Sequence, residues 1–147
     1  MKHLLFFFVL AISTSSFSQK THYNIQKGAV ASGYDVVAYF NNKTAKGNKK
    51  LRVTFDNVIF LFSSKKNLET FQESPKKFIP QYGGYCAYAI GKTGEKVSIN
   101  PKTFEIRNEK LYLFYNSWGT NTLELWKKED AQKLQQQADV NWEKMLQ

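Results

Sequence analysis

The alternation of apolar and polar residues predicts a β-hairpin over residues 51–62. Residues 52–55 alternate, as expected of a strand with one face in the core, and residues 58–62 are apolar at every position. Asp56 and Asn57 between them are residues that favour tight turns. Because an unbroken apolar strand has to be covered on both faces, we expect the second strand to be central in a sheet.

A second hairpin and a long helix are predicted in the C-terminal part of the chain. Residues 104–107 alternate, and residues 111–115 return as a mostly apolar strand. Over residues 122–146, apolar side chains recur at helical spacing, which predicts a long amphipathic helix packed on the sheet. These apolar positions are Leu123, Trp126, Ala131, Leu134, Ala138, Trp142 and Met145.

Short helices are predicted between the hairpins. One covers residues 65–73, with Ser63 or Ser64 as its N-cap, and Pro75 ends it. The expected fold class is therefore α+β, with a small antiparallel sheet built from two hairpins, short intervening helices and a long C-terminal amphipathic helix. The chain shows no repeat, low-complexity tract or internal linker, which favours a single domain.

Residues 1–18 have the features of a secretory signal peptide. Lys2 precedes an apolar run over residues 4–12, which is too short to span a bilayer because a spanning helix needs ~20 residues. Small residues before Gln19 suit cleavage at that point, which leaves residues 19–147 as the mature domain. We expect an exported protein, periplasmic or secreted, with no membrane-spanning segment after cleavage. An uncleaved N-terminal anchor is the alternative.

The chain is strongly basic, with 21 basic and 12 acidic residues and a formal net charge of +9. Such an excess suits a nucleic-acid site, but an export signal argues against nucleic acid as the partner. Attraction to an anionic surface of the cell envelope is a second interpretation, and a solvated loop is the favoured one. The densest basic cluster is Lys43, Lys46, Lys49, Lys50 and Arg52.

The only cysteine of the chain, Cys86, follows a pair of glycines. Gly83 and Gly84 permit backbone angles that other residues resist. A short helix is predicted over residues 85–90 with Gly91 as its cap, which places the thiol in the first turn, where the helix dipole favours a thiolate. Packing of an inert thiol is an equally open alternative, because cysteine is among the residues most often buried.

Asp35 is the one carboxylate in the strongly apolar stretch of residues 33–40. A buried carboxylate has to be paired or hydrogen-bonded. We expect it to cap backbone amides after Gly33, with a ligand or catalytic role as the alternative. His22, the one histidine outside the predicted signal peptide, is expected to be a surface residue without a role.

The counts of metal-ligating residues exclude several kinds of site. One cysteine and one histidine cannot supply the four ligands of structural zinc or the two-histidine, one-cysteine set of type 1 copper. A soft ion such as Cu(I), held by Cys86 with an oxygen ligand from Asp35 or a tyrosine, stays open. No catalytic residue is assigned, because a cysteine–histidine pair would need His22 beside the thiol, and no phosphate-loop or hydrolase motif is present.

Three motifs follow one another in an order that resembles a YHS domain. The first is Gly-Tyr-Asp-Val-Val-Ala-Tyr-Phe at residues 33–40, and the second is the aromatic strand and helix of residues 60–78. The third, Tyr-Gly-Gly-Tyr-Cys-Ala-Tyr at residues 82–88, is similar to exported bacterial members of that family. The likeness covers residues 33–90, and the hairpin and helix of residues 103–146 complete the domain.

The resemblance implies the fold and a metal-binding module. In the cysteine-bearing members of the family, thiols stand where this chain has Ser63 and Asn67. A further thiol occurs in the opening segment, where this chain has Val36 and Val37. Only Cys86 therefore remains as a soft ligand.

Three hypotheses for the function remain open from the sequence. The leading one is a non-enzymatic exported module that binds a soft metal ion, such as copper, at Cys86. The residues expected to complete its pocket are Asp35 as a second ligand and Tyr34, Tyr82, Tyr85 and Tyr88. The second hypothesis is a thiol-dependent enzyme or redox protein that uses Cys86, and the third is a structural or interaction domain in which Cys86 only packs.

Overall fold

The computed structural model describes residues 22–147, so the predicted signal peptide lies outside the described residues. The strands are β1 (Ile25–Gln26), β2 (Ala29–Val30), β3 (Asn48–Phe55), β4 (Val58–Phe62), β5 (Asn100–Arg107), β6 (Lys110–Phe114), β7 (Asn116–Ser117) and β8 (Thr120–Asn121). The helices are α1 (Lys65–Glu73), α2 (Pro75–Phe78), α3 (Ala87–Thr93), α4 (Thr122–Lys128) and α5 (Ala131–Leu146). The expected α+β class is confirmed.

β3 and β4 form the first predicted hairpin. Its two-residue turn holds Asp56 and Asn57 at φ of 50° and 61°, left-handed angles that match the twist of a hairpin. Among the described strands β4 pairs only with β3, so the expectation of a central β4 is wrong. Its buried face is covered by α1 instead, because the Phe71 ring centroid lies 4.8 Å from that of Phe60 and 5.1 Å from that of Phe62.

β5 and β6 form the second predicted hairpin, and it repeats the geometry of the first. Asn48 pairs with Phe62 and Asn100 pairs with Phe114, and in each hairpin the register then shifts at the same place. In both, the asparagine side chain accepts a hydrogen bond from the backbone N–H two residues later. In the described part of the chain the hairpins remain separate two-stranded sheets and do not form the single sheet expected.

The turn that leads into each hairpin region is repeated as well. Residues 31–33 have φ of 53°, 54° and 79°, and residues 82–84 have φ of 55°, 60° and 83°. In both turns the N–H of the following residue donates to the carbonyl of the first at 3.0 Å. Three consecutive left-handed residues are uncommon, so their recurrence at matching points is a specific similarity.

The described chain therefore contains two structurally matching halves. We call residues 31–78 the first half and residues 82–146 the second half. Each begins with a left-handed turn, continues through a bulged hairpin and ends in two helices. The sequence itself shows no repeat, because the similarity lies in backbone geometry while matching positions carry different side chains, as at Ser32 and Gly83.

The C-terminal helical region is two helices rather than one. α4 ends at Lys128 and α5 begins at Ala131, with Asp130 between them at φ of 77°. The Asp130 side chain accepts a hydrogen bond from the N–H of Lys133 at 3.1 Å and so caps α5. The predicted continuous helix over residues 122–146 is wrong, because the spacing of apolar residues does not reveal a break between two polar positions.

Two apolar clusters form the core. The larger contains the aromatic residues of the first hairpin together with Cys86 and Leu113 of the second half. The smaller is centred on Trp126, which is fully buried and packs 5.9 Å from Tyr112 between ring centroids. Across residues 22–147, no helix has both the length and the apolar character needed to cross a membrane.

Candidate functional site

Cys86 stands immediately before α3, at its N-cap, rather than in its first turn. The helix ends at a left-handed Gly94 with φ of 73°, so the predicted bounds of residues 85–90 with a Gly91 cap are wrong. Gly91 has a different role. A Cβ at this position would lie 2.6 Å from the carbonyl oxygen of Leu134, so the glycine lets α5 approach α3 closely.

The thiol of Cys86 is buried and hydrogen-bonded on both sides. Its exposed fraction is 0%, and its Sγ accepts a hydrogen bond from the N–H of Tyr115 at 3.3 Å. Sγ also lies 3.3 Å from Oγ1 of Thr122, whose hydroxyl donates to the Tyr115 carbonyl at 2.8 Å. Because that hydroxyl has a single proton, the S–H of Cys86 is the donor to Thr122. The arrangement suits a protonated thiol.

A cavity of about 230 Å³, the Cys86 cavity, lies beside this thiol and is lined mainly by apolar groups. Its edge carries an ion pair in which Lys92 Nζ lies 2.6 Å from Glu129, and the Tyr88 hydroxyl donates to Glu129 at 3.0 Å. The hydrogen bond from Lys92, followed by that from Tyr88, lowers the pKa of the Glu129 carboxyl. A charged pair therefore lies next to a cavity whose lining is mostly apolar.

Asp35 has every oxygen position occupied by hydrogen bonds from the protein. Oδ1 accepts from the N–H of Val37 at 3.0 Å and of Ala38 at 3.2 Å, as expected for a cap of backbone amides. Oδ2 accepts from the N–H and hydroxyl of Ser63 at 2.8 and 2.6 Å and from the Asn67 amide at 2.8 Å. Ser63 and Asn67, the residues compared above with the thiols of cysteine-bearing YHS domains, here bind a carboxylate.

Asp35 and Cys86 occupy the same position in the two halves. Each accepts the N–H of the residue that follows the second hairpin strand, Ser63 for Asp35 and Tyr115 for Cys86. Each also contacts a polar side chain from the first turn of the next helix. The backbone N–H of each donates to the loop before the following strand, at 2.8 and 2.9 Å. Both residues therefore anchor a hairpin to its helix.

The structure does not bring the residues of the predicted metal site together. Asp35 does not line the Cys86 cavity. Within residues 22–147, no three or more histidine, cysteine, aspartate or glutamate side chains are grouped so that they could hold a metal ion. His22 lies in a different groove from the thiol.

The four tyrosines of the predicted pocket lie in different places in the structure. Tyr88 lines the Cys86 cavity. Tyr34 lines a separate groove of about 490 Å³. Tyr82 lines a third groove, and Tyr85 packs 6.3 Å from the Trp142 ring centroid. Among the four, only Tyr88 lies beside the thiol.

The groove that contains Tyr82, about 590 Å³ in volume, combines aromatic walls with carboxylates, and we call it the aromatic–acidic groove. Its aromatic residues are His22, Tyr23, Tyr82 and Trp142, and its carboxylates are Asp56, Asp139 and Glu143. The Tyr82 hydroxyl donates to Asp139 at 2.8 Å. Burial, and then this hydrogen bond, raises the pKa of Tyr82 far above its ordinary value, so the phenol remains a donor.

The glycine pair before the cysteine builds this groove. A Cβ on Gly83 would lie 1.8 Å from the carbonyl oxygen of His22. Asn24 fixes the same contact, because its N–H donates to Gly83 at 2.8 Å and its side chain donates to Gly84 at 3.0 Å. The pair therefore docks the segment that carries His22 and Tyr23.

The groove residues on α5 are not predicted from the sequence. The apolar spacing predicts Trp142 on the buried face of a helix, but it is half-buried and lines the groove. Asp139, Trp142 and Glu143 have i, i+3, i+4 spacing, which places them on one face of α5. That spacing is the signal that could have revealed them.

Comparisons with protein-family models, with curated proteins and with solved structures find no match for this chain.

Proposed function

We propose that this chain is an exported, non-enzymatic binding module of the YHS type, in which Cys86 is a structural anchor and the ligand is held in the aromatic–acidic groove. One observation carries the proposal. In the Tyr-Gly-Gly-Tyr-Cys segment, Tyr82 and Gly83 line the groove, Tyr85 packs against Trp142, and the cysteine is buried in the core.

The surroundings of the thiol support a structural role over catalysis. A nucleophilic cysteine needs a base or a cation that favours its thiolate and a path for the substrate. Here the thiol is fully buried and its proton is held by Thr122, and the groove that contains His22 is a separate one.

A soft metal ion at Cys86 is the competing proposal. It is weakened by the hydrogen bonds that already occupy the sulfur, and by the location of Asp35, whose carboxylate is saturated by five donors. One observation supports a metal ion at Cys86, because this residue lines the Cys86 cavity.

Metal content and thiol reactivity together test this proposal. The exported chain, purified without a histidine tag, is equilibrated with Cu(I), Cu(II) or Zn(II), freed of excess metal and analysed by mass spectrometry, beside Cys86→Ser. We expect no retained metal in either protein. A thiol reagent should modify the unfolded chain completely and the folded chain only at the rate at which it opens.

Two results would contradict the proposal. One equivalent of copper that disappears in Cys86→Ser would make the thiol a metal ligand. Modification of the folded chain faster than a free thiol would make it a reactive group. Cys86→Ser is a suitable control for both, because serine can accept the Tyr115 N–H and donate to Thr122.

A further inference from the structure

We infer that the aromatic–acidic groove binds an alkylammonium cation. The inference rests on the proposed function, since it names the ligand of the same groove. Four observations support it: the sign of the local charge, the aromatic walls, the ordering of one carboxylate, and the spacing of the carboxylates.

The groove reverses the charge of the chain. The whole sequence has 21 basic and 12 acidic residues, yet the groove is lined by three carboxylates and one lysine, Lys110. Opposite charge concentrated in a cleft raises the local concentration of a cationic ligand. A cation is therefore the class of ligand that this part of the surface attracts.

The aromatic walls suit an organic cation. Trp142 lies 6.2 Å from Tyr82 and 6.3 Å from His22 between ring centroids, with its neighbours tilted steeply against it. Tryptophan is the best aromatic partner for an ammonium group. The protein already makes one such contact, because Lys96 Nζ lies 5.6 Å from the Trp142 centroid and 5.5 Å from that of Tyr85.

One carboxylate of the groove is held in place before any ligand arrives. Asp139 accepts the hydrogen bond of Tyr82 at 2.8 Å, and α5 fixes its spacing from Glu143. Tyr23 and Asp56 also line the groove, and burial followed by the charge of Asp56 raises the pKa of Tyr23 to about 12. A preorganised carboxylate reduces the ordering cost of binding.

The spacing of the carboxylates favours an alkylammonium group over a metal ion. A metal ion needs several oxygen ligands at one point. Within the described part of the chain, no cluster of three or more acidic, histidine or cysteine side chains is placed to surround one ion. A larger cation that contacts aromatic faces and separated carboxylates does not need such a cluster.

Titration with matched cationic and neutral probes tests the inference. Choline and its neutral isostere 3,3-dimethylbutan-1-ol are titrated into the purified exported chain by calorimetry and by NMR of the indole N–H groups, with n-butylammonium as the primary amine. We expect choline to bind, the neutral isostere to bind roughly tenfold more weakly, and the Trp142 signal to shift. Comparison of choline with n-butylammonium distinguishes a quaternary ammonium ligand from a lysine-like one.

Carboxylate variants locate the site. Glu143→Gln and Asp139→Asn should each weaken choline binding severalfold. Glu124→Gln removes an exposed carboxylate outside the groove with the same change in net charge, and its affinity should equal that of the parent chain. Trp142→Leu should lower the affinity roughly tenfold, provided that its unfolding transition stays close to that of the parent.

The outcomes separate this inference from the proposed function. Equal binding of choline and its neutral isostere, no binding of choline or n-butylammonium, or equal losses in Glu143→Gln and Glu124→Gln would overturn the alkylammonium site. Retention of copper at Cys86 would overturn the proposed structural role of the thiol without affecting the groove. Choline binding weakened severalfold in Glu143→Gln, with Cys86→Ser unaffected, is the result expected from both.

Discussion

The two halves of the molecule solve the same structural problem with different chemistry. Each half must attach the end of a bulged hairpin to the helix that follows. The first half uses Asp35, a buried carboxylate that accepts five hydrogen bonds, and the second half uses Cys86, a buried thiol with two hydrogen-bond contacts. The comparison indicates that the residue at this position attaches the hairpin to the helix in both halves. The thiol is the weaker anchor because it makes fewer hydrogen bonds.

The surroundings of the two anchors differ in a way that bears on function. The first half is closed around Asp35 by Ser63 and Asn67. In the second half, the Cys86 cavity opens beside the thiol, and the preceding turn supplies Tyr82 to the aromatic–acidic groove. The two anchors therefore differ in their surroundings, because the Asp35 carboxylate is enclosed by protein donors while Cys86 lines a cavity.

The largest expected effect is the loss of the stronger anchor. Asp35→Ala removes the acceptor of the buried Val37 N–H, of the half-buried Asn67 amide, and of the N–H and hydroxyl of Ser63. Because each buried donor left unpaired costs about 1–3 kcal/mol, we expect the free energy of unfolding to fall by more than about 3 kcal/mol. Urea unfolding measures it. A loss equal to or below that of Cys86→Ala would contradict the ranking of the anchors.

The next effect distinguishes the two left-handed turns. Gly83→Ser copies into the second half the residue that the first half carries at the matching position, Ser32. The new Cβ meets the carbonyl oxygen of His22 at 1.8 Å, so we expect a loss of about 1–3 kcal/mol and displacement of the segment around His22. The matched change Ser32→Gly should lower the stability far less. Thermal unfolding of both variants tests this, and a larger loss in Ser32→Gly than in Gly83→Ser would contradict it.

A smaller effect is expected from removing the weaker anchor. Cys86→Ala leaves the buried N–H of Tyr115 unpaired and removes the S–H contact with Thr122. We expect a loss of about 1–2 kcal/mol, with less in Cys86→Ser because the hydroxyl keeps both contacts. Chemical unfolding of the three proteins tests the series. Serine more damaging than alanine would show that the hydrogen bonds matter less than the apolar surroundings.

The smallest effect concerns the ion pair at the edge of the Cys86 cavity, which has no counterpart at Asp35. Hydrogen bonds from Lys92 and Tyr88 lower the pKa of Glu129 below its ordinary value of 4.5. A carboxyl with a lowered folded-state pKa stabilises the fold above its unfolded-state pKa and loses that contribution as the pH falls through the lowered value. As the pH falls below 4.5, the free energy of unfolding should therefore decline more steeply in the parent chain than in Glu129→Gln. The same pH dependence in both proteins would contradict this.

Much of the local structure was predictable from the residues. The turn at Asp56 and Asn57, the helix over residues 65–73 with Ser64 as its N-cap, and the α+β class are all confirmed. These features depend on neighbours within a few positions, where apolar spacing, capping side chains and turn residues act directly. The amide-capping role of Asp35 was predictable for the same reason.

The candidate site was less predictable. Cys86 is a candidate from the sequence because it is the only cysteine. In the structure its S–H donates to Thr122 and its sulfur accepts from the Tyr115 N–H, and both partners are distant in sequence. The groove is assembled from an N-terminal segment, a glycine turn and one face of α5. No local sequence pattern predicts that these three segments meet. The spacing of Asp139, Trp142 and Glu143 indicates only the side of the groove that α5 forms.

The sequence by itself determined the two hairpins and the helix over residues 65–73, because those elements follow from side-chain periodicity and local hydrogen bonding. Only the tertiary structure decided that two hairpins form matching halves instead of one sheet, that Asp35 and Cys86 are equivalent anchors, and that Gly83 serves the packing of His22. The physical reason is that these features depend on long-range contacts, and a residue's composition and spacing do not specify which distant backbone atom will approach it.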